Sequence, residues 1–378
     1  MIIVHTHHTA WPVLGGVERA IQKISIELVK MGHEVHIITS TYGARNKSSY
    51  EEINGVYIHR VKSWTPYYPD LTIPRKIPRD ILKKADIIHG WSQNSYFTYR
   101  ICKEAKELDK PIIMYFLGID YLRYHYNPLI RLFGYPYQKW ITWRVVMITD
   151  LALVTNEYEK KLLKERYGID SIVLPHGVDE IYLKLPNMAE HFRRKYGIEG
   201  KIIAYIGRIH PTKGLDLLIK AFAKISRQMS DVVLVIAGKG DEKFLRKCLK
   251  LVEKPSMIDK VKYIGYISEE DKIAFIDASN IVVLPTRHAG ESYPLIIDEV
   301  LARDKPIVIT EDKTITDRIK GYQQCFIVTP DINKLAETII ALLNSRVGAS
   351  SSKSAILTWS TIAEILLNTY KKILQSKR

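Results

Sequence analysis

The chain is short of the features that mark secreted, membrane-spanning or metal-clustered proteins. It has three cysteines, Cys102, Cys248 and Cys325. An odd number so widely spaced suggests neither a disulfide framework nor a zinc cluster, and fits a reducing compartment. No stretch offers the 18 or so uncharged apolar residues that a bilayer span needs. The start, Met1-Ile2-Ile3-Val4-His5-Thr6, has no basic region ahead of a long apolar core, so no secretory leader is expected. The G-x-G-x-x-G fingerprint is also missing, which weakens a dinucleotide reading. No Asp-x-Asp segment suited to a divalent ion occurs. No RRM, KH or helix-turn-helix signature supports nucleic acid as a partner.

What the chain does have is size, apolar content and alternation. Its 378 residues, 46% of them hydrophobic, suffice for two cores. The formal charge of +15 is spread over both halves rather than held in a tail. Such a balance permits attraction to phosphates, nucleic acid or an anionic bilayer without choosing among them. Apolar runs read as strands over 2–5, 35–39, 56–61, 86–89, 112–116, 151–155 and 172–174. After a polar connection near Leu185-Pro186-Asn187 they resume over 202–206, 232–237, 261–264, 281–284, 307–309 and 326–328. Helical periodicity fills the gaps, for instance over 95–108, 157–167 and 215–229. This βα alternation predicts an α/β protein with parallel sheets covered on both faces. The domains expected are 1–185, 186–358 and a helix over 359–378 that returns to the first domain.

Three strand-to-helix turns carry candidate chemistry. The first is the loop His7 to Leu14 followed by Gly15-Gly16, where lack of Cβ lets a ligand approach the N–H groups opening a helix. A tight turn needing glycine explains the pair as well. His7 and His8 are too local to indicate a metal, and loop polarity accounts for them. The second turn is Gly207-Arg208-Ile209-His210-Pro211-Thr212-Lys213-Gly214, which sets two fixed cations at a strand's C-terminal end, where open α/β sheets bind ligands. The third follows 281–284 as Arg287-His288-Ala289-Gly290-Glu291-Ser292-Tyr293-Pro294-Leu295, with Glu299 two turns further on. Ser292 suits an N-cap and Pro294 a first helical turn, so Glu291 is expected beside unpaired N–H groups at the positive end of a helix. Two glutamates eight apart would, alone, read as readily as a solvated helix face.

Together, G-R-x-x-x-x-K-G and E-x7-E resemble the donor site of retaining, nucleotide-sugar-dependent glycosyltransferases of the family known as glycosyl transferases group 1 (family 4), which includes sucrose synthase. The resemblance covers nearly the whole chain and implies the GT-B fold, two doubly wound Rossmann-like domains facing across a cleft. It implies catalytic roles for Arg208, Lys213 and Glu291, the cations stabilising the diphosphate as it leaves and Glu291 holding sugar hydroxyls. It implies donor contacts from Gly15, Gly16, Gly207, Gly238, Ile267, Ser292, Tyr293, Pro294, Leu295 and Glu299, the last to the ribose diol. The activity implied is transfer of a hexose from UDP-, GDP- or ADP-sugar to a saccharide or lipid-linked acceptor, with retained anomeric configuration, no metal and no other cofactor. A nucleotide-sugar isomerase or phosphorylase on the same scaffold, or a non-catalytic nucleotide-sugar binder, remains as an alternative.

The chain departs from the family at identifiable places. Pro175-His176-Gly177-Val178-Asp179 resembles P-N-G-V-D with His176 for Asn. In Phe116-Leu117-Gly118-Ile119-Asp120, Leu117 stands where relatives often carry His, so a sugar contact is lost or supplied by His89, Asp120 or the carbonyl of Leu117. Residues 115–143 interleave Tyr, Phe and Trp with Arg123, Arg131 and Lys139, a character that Trp64, Tyr67, Tyr68, Arg75, Lys76, Arg79, Lys83 and Lys84 extend. These suit a membrane interface or a sugar-stacking groove, and equally a core layer. The expectation drawn is a cytoplasmic enzyme in peripheral contact with the inner face of an anionic membrane, with no nucleic-acid partner.

Overall fold

Short runs of Ile, Val and Leu, each closed by a glycine or a polar turn, form the strands, and amphipathic segments between them form the helices that cover both sheet faces. The computed structural model describes residues 1–13, 15–252, 257–287, 291–345 and 356–376. Leu14 and His288-Ala289-Gly290, quoted in the motifs above, lie outside the described residues. Two compact units divide the chain: Met1–Gly177, Gly290–Tyr293 and Leu357–Arg378 in the first, Val178–Ala289 and Pro294–Ile356 in the second.

Unit 1 holds ten strands: β1 (Ile2–Thr6), β2 (Glu34–Ser40), β3 (Tyr50–Ile53), β4 (Val56–Val61), β5 (Ser63–Trp64), β6 (Ile73–Pro74), β7 (Ile87–Trp91), β8 (Ile112–Tyr115), β9 (Leu151–Val154) and β10 (Ser171–Val173). Eight form one sheet in the order β10-β9-β8-β7-β1-β2-β4-β3, and β5 pairs with β6. Five helices matter to the site: α1 (Gly16–Lys30), α2 (Arg79–Lys84), α3 (Tyr96–Lys106), α4 (Pro128–Val146) and α5 (Glu157–Tyr167). The sheet is not wholly parallel as the alternation predicts, because β3 runs antiparallel to β4. The turn between them is Asn54-Gly55 with both φ positive, 54° and 78°, the two-residue hairpin geometry that Asn-Gly favours.

Unit 2 holds β11 (Lys201–Ile206), β12 (Val232–Ala237), β13 (Val261–Gly265), β14 (Ile281–Leu284), β15 (Ile307–Thr310) and β16 (Cys325–Val328). Its order, β13-β12-β11-β14-β15-β16, is parallel throughout. The order reverses between β11 and β14, the kind of crevice where doubly wound sheets bind ligands.

The last helix, Trp359–Ser376, belongs to unit 1 and lies against α1. Its Tyr370 hydroxyl is 2.6 Å from His89 Nδ1. Gly177 lies so close to the backbone of Thr358 and Trp359 that a Cβ would overlap it.

Unit 2 buries one bidentate ion pair. Arg303 donates to Asp277 from Nε at 2.8 Å and from Nη2 at 2.7 Å, and its remaining N–H groups reach the carbonyls of Tyr182, Leu185 and Pro186. Removing the guanidinium leaves a buried carboxylate uncompensated. Arg303→Ala is therefore expected to destabilise unit 2 by about 3–5 kcal/mol, seen as a lowered urea midpoint; an unchanged midpoint would show that water replaces the pair without cost.

Candidate functional site

At the C-terminal edge of the unit 2 sheet three turns lie on one another. Gly238, with φ at 141°, has its Cα against the carbonyl of Gly207, and a Cβ there would overlap the oxygen. The Gly238 N–H donates to the Gly265 carbonyl at 2.7 Å, and the Gly207 N–H to that of Ala237 at 3.1 Å. Lys239 stands over the Tyr266 ring at 4.7 Å, and the Tyr263 hydroxyl donates to the Gly238 carbonyl. The glycines after β11, β12 and β13 thus fix a common ledge of backbone.

Arg208 projects from that ledge. It is exposed, and its guanidinium makes no hydrogen bond or ion pair among the described residues; its carbonyl accepts from the Tyr205 hydroxyl at 2.9 Å. Lys213 ends the 3-10 turn Pro211–Lys213. The next residue, Gly214 (φ 66°), sits where a Cβ would overlap the Pro285 carbonyl. The Thr212 carbonyl accepts from the Arg287 N–H at 2.8 Å, so the turn carrying Lys213 is braced against the exit of β14.

The segment Glu291–Pro294 is irregular, and the helix Leu295–Ala302 begins with Pro294 as its N-cap. Ser292 does not cap it. Its hydroxyl is 2.8 Å from Thr155 Oγ1 and donates to Glu159 Oε2 at 2.7 Å, both in unit 1, where Ser292 itself belongs. These partners outbid the capping position because Glu159 is a buried carboxylate that needs donors. Burial raises its pKa, and bonds from Ser292, Thr155 and the Gly118 N–H hold it down. Tyr293 packs edge-on to His176 at 5.0 Å, and its hydroxyl donates to the His176 carbonyl. Glu299 is buried, not solvated, and pairs with Lys272 at 2.9 Å. Ile267 is half-buried, just ahead of Ser268, which caps the helix bearing Lys272.

In unit 1, Gly15 and Gly16 open α1. A Cβ on Gly15 would collide with the Glu18 carboxylate, which accepts from Thr9. Beside it, Asp70 is pushed up to about 7 by burial and then by Glu18. Burial drives the pKa of His7 and of His8 down, with Glu18 opposing it at His7 and the neighbouring His7 adding to it at His8. Among the described residues no group of three or more His, Cys, Asp or Glu is disposed to hold a metal ion.

The residues around the missing histidine are tied up. Gln93 reads both backbone groups of Leu117, accepting from its N–H at 2.8 Å and donating to its carbonyl at 3.1 Å. Asp120 is buried and held by Arg166 at 2.5 and 3.1 Å. His89 lies in the core against Tyr370, not at an accessible surface, which corrects the expectation that it substitutes for a sugar ligand. Sequence reasoning missed Glu159, Gln93 and Lys272. Each gains its meaning from a partner at least 24 positions away, which no local spacing encodes.

Residues 188–356 match the family Glycosyl transferases group 1, and residues 14–181 match Glycosyltransferase Family 4. The chain belongs to this family of glycosyltransferases. The glycosyltransferase is 24% identical to the phosphatidylinositol N-acetylglucosaminyltransferase GPI3 subunit of Saccharomyces cerevisiae over 96% of the chain and 81% of that protein. It is also 24% identical to the phosphatidyl-myo-inositol mannosyltransferase of Mycobacterium leprae, over 62% of each. Among solved structures, sucrose-phosphate synthase from Thermosynechococcus elongatus superposes with a TM-score of 0.80 at 18% identity, covering 99% of both chains. HepE from Anabaena, in complex with UDP and glucose, gives 0.75 at 13% identity over 98% and 99%. The fold is GT-B.

Gly238→Ala forces the ledge apart and strains φ. It is expected to cost about 1–3 kcal/mol and to weaken binding of nucleoside diphosphates, read by denaturant unfolding and calorimetric titration. Wild-type values in both would remove the contact between turns as a constraint on the site.

Proposed function

We propose that the enzyme transfers a hexose from a nucleoside-diphosphate sugar to a lipid-linked saccharide acceptor, with retention and without a metal, while attached peripherally to the cytoplasmic face of an anionic membrane. On the donor side, breaking the bond between anomeric carbon and diphosphate leaves a growing dianion. Arg208 and Lys213 at the strand ends, with helix N-termini beside them, supply positive charge where it forms. The leaving phosphate accepts the acceptor's proton on the face it departs from. Glu291 holds sugar hydroxyls. Glu299, its charge balanced by Lys272, offers an acceptor to a ribose diol.

The observation that carries the acceptor reading is the outer face of α4. Gln138, Ile141, Thr142 and Val145 point into unit 1 and are buried. The opposite face is apolar as well: Leu129 is 66% exposed, Phe133 72% and Met147 76%, with Leu132, Trp140 and Trp143 between them. Lys139 and Arg144 flank this stripe, Arg144 over the Trp140 ring at 5.7 Å and Lys139 over Tyr135 at 5.3 Å. Nineteen residues give a rod roughly 28 Å long that is greasy outward and basic at its margins, the pattern of a helix lying in the headgroup layer. No described helix is long and apolar enough to cross a membrane. Two relatives bear names of enzymes acting on phosphatidylinositol lipids, which supports a lipid-borne acceptor here.

Arg208→Ala or Lys213→Ala should lower turnover by about 10²-fold or more with the fold intact, and EDTA should leave wild-type activity unchanged. Wild-type turnover in either variant, or a strict need for added Mg²⁺ or Mn²⁺, would sink this mechanism; epimerisation or phosphorolysis in place of transfer would sink the activity. For the membrane, the enzyme should co-sediment with anionic vesicles, less so in high salt, and Phe133→Ser with Trp140→Ser should abolish sedimentation. Full activity on a short soluble sugar with binding to neither anionic nor neutral vesicles would return α4 to the role of a bare packing helix.

A further inference from the structure

At the far end of the unit 1 sheet lies a cavity that the transfer chemistry leaves unused. The last three strands, β2, β4 and β3, are covered on one face by α1. On the other face Asp80, Ile81 and Lys84 of α2, a helix only six residues long, border the strands. A cavity of about 400 Å³ lies there, within the range of small-molecule sites.

Its floor is aromatic. Cross-strand register sets His36 beside Tyr57 and Tyr50 beside His59. The rings of Tyr50 and Tyr57 are near parallel, 12° apart at 6.4 Å; those of His36 and Tyr57 are 5.1 Å apart, and those of His36 and His59 5.2 Å apart at 25°. Tyr50 is 52% exposed. An uncovered sheet face ordinarily carries polar, water-loving side chains; here it carries a cluster of four rings in mutual contact.

Its walls are polar and acidic. Glu34 accepts from His36 Nε2 at 2.8 Å, which fixes the tautomer and leaves Nδ1 facing His59 Nε2 at 2.9 Å. Burial and then His36 press His59 down to about 4, so the neutral ring adds no charge at pH 7. Asp80 and Lys84 on α2 complete the lining, and neither has an ion-pair partner among the described residues. Two carboxylates face one ammonium in a chain whose net charge is +15. That lining carries one carboxylate more than it has ammonium groups, so it offers no cationic cradle for a phosphate. Flat rings with hydrogen-bonding groups at their rim suit a ligand with one apolar face and a belt of hydroxyls.

We propose that this cavity is a second carbohydrate site, binding uncharged pyranose units of a glycan. The inference rests on the reading of the chain as a glycosyltransferase. The site begins at Glu34, which opens β2, and reaches as far as His59, level with Ile38, whereas the strand's last residue, Ser40, bonds the His8 carbonyl beside the glycine loop; none of its lining residues is one of those assigned to the transfer site. A chain of sugars held here is kept near the enzyme between transfers.

The test is saturation-transfer NMR with maltotriose, mannotriose and chitotriose, and with glucose 6-phosphate as the charged control. At least one neutral trisaccharide should bind more tightly than the control. Tyr57→Ala should weaken it by about tenfold, the size of one lost stacking contact, and Tyr50→Ala, on the exposed edge strand, should weaken it without endangering the fold. Arg208→Ala should bind the trisaccharide as wild type does even where transfer is lost, so failure of the donor-site reading and failure of this one are told apart. No saccharide response, a response indifferent to both tyrosines, or a site that instead takes up Zn²⁺ through His36 and His59 would each overturn the proposal.

Discussion

The ledge that carries Arg208 depends on one steric fact: the Gly238 backbone lies against the Gly207 carbonyl with no room for a side chain. Two parallel strands end side by side, and their turns must both leave the sheet in the same direction. A Cβ on Gly238 would splay them. Because they abut, the next backbone groups are positioned without help from side chains, and Arg208 is free to face outward. The same device recurs at Gly214 against Pro285, so the two cations are held by backbone packing and not by mutual contacts.

Unit 1 solves the opposite problem, a polar interior. Glu159 collects donors from Gly118, Thr155 and Ser292, Gln93 occupies both backbone groups of Leu117, and Arg166 neutralises Asp120. An unsatisfied buried carboxylate costs several kcal/mol, whereas a satisfied one specifies a single arrangement. The loop following β8 owes its shape to this network. Leu117 can therefore replace a histidine there without loosening the turn.

Much of this was legible beforehand. Strands over 56–61, 232–237 and 281–284 coincide with β4, β12 and β14 residue for residue: β12 and β14 are continuous apolar runs bounded by turns, and β4 alternates buried with half-buried side chains. The glycine turns announced themselves through residue type. What escaped was set by partners remote in the chain. β3, Tyr50-Glu51-Glu52-Ile53, has no apolar run to mark it as a strand and is set by its pairing with β4 across Asn54-Gly55. Ser292 carries the chemistry of a cap and was claimed by Glu159 instead. α4 hid for another reason: Pro136 interrupts it, and with apolar side chains on both faces it shows no contrast between inside and outside.

The return of Trp359–Ser376 to unit 1 bears on how the polypeptide is made. β1 leaves the ribosome before every strand of unit 2, yet the hydroxyl that meets His89 and the surface that covers α1 come from the helix Trp359–Ser376, which follows them all. Every strand of unit 2 emerges before that helix exists. The unit 2 sheet can close early, as domains fold in units during synthesis, while unit 1 waits with α1 uncovered until Trp359–Ser376 has emerged. The half that is translated first is thus the half that is finished last.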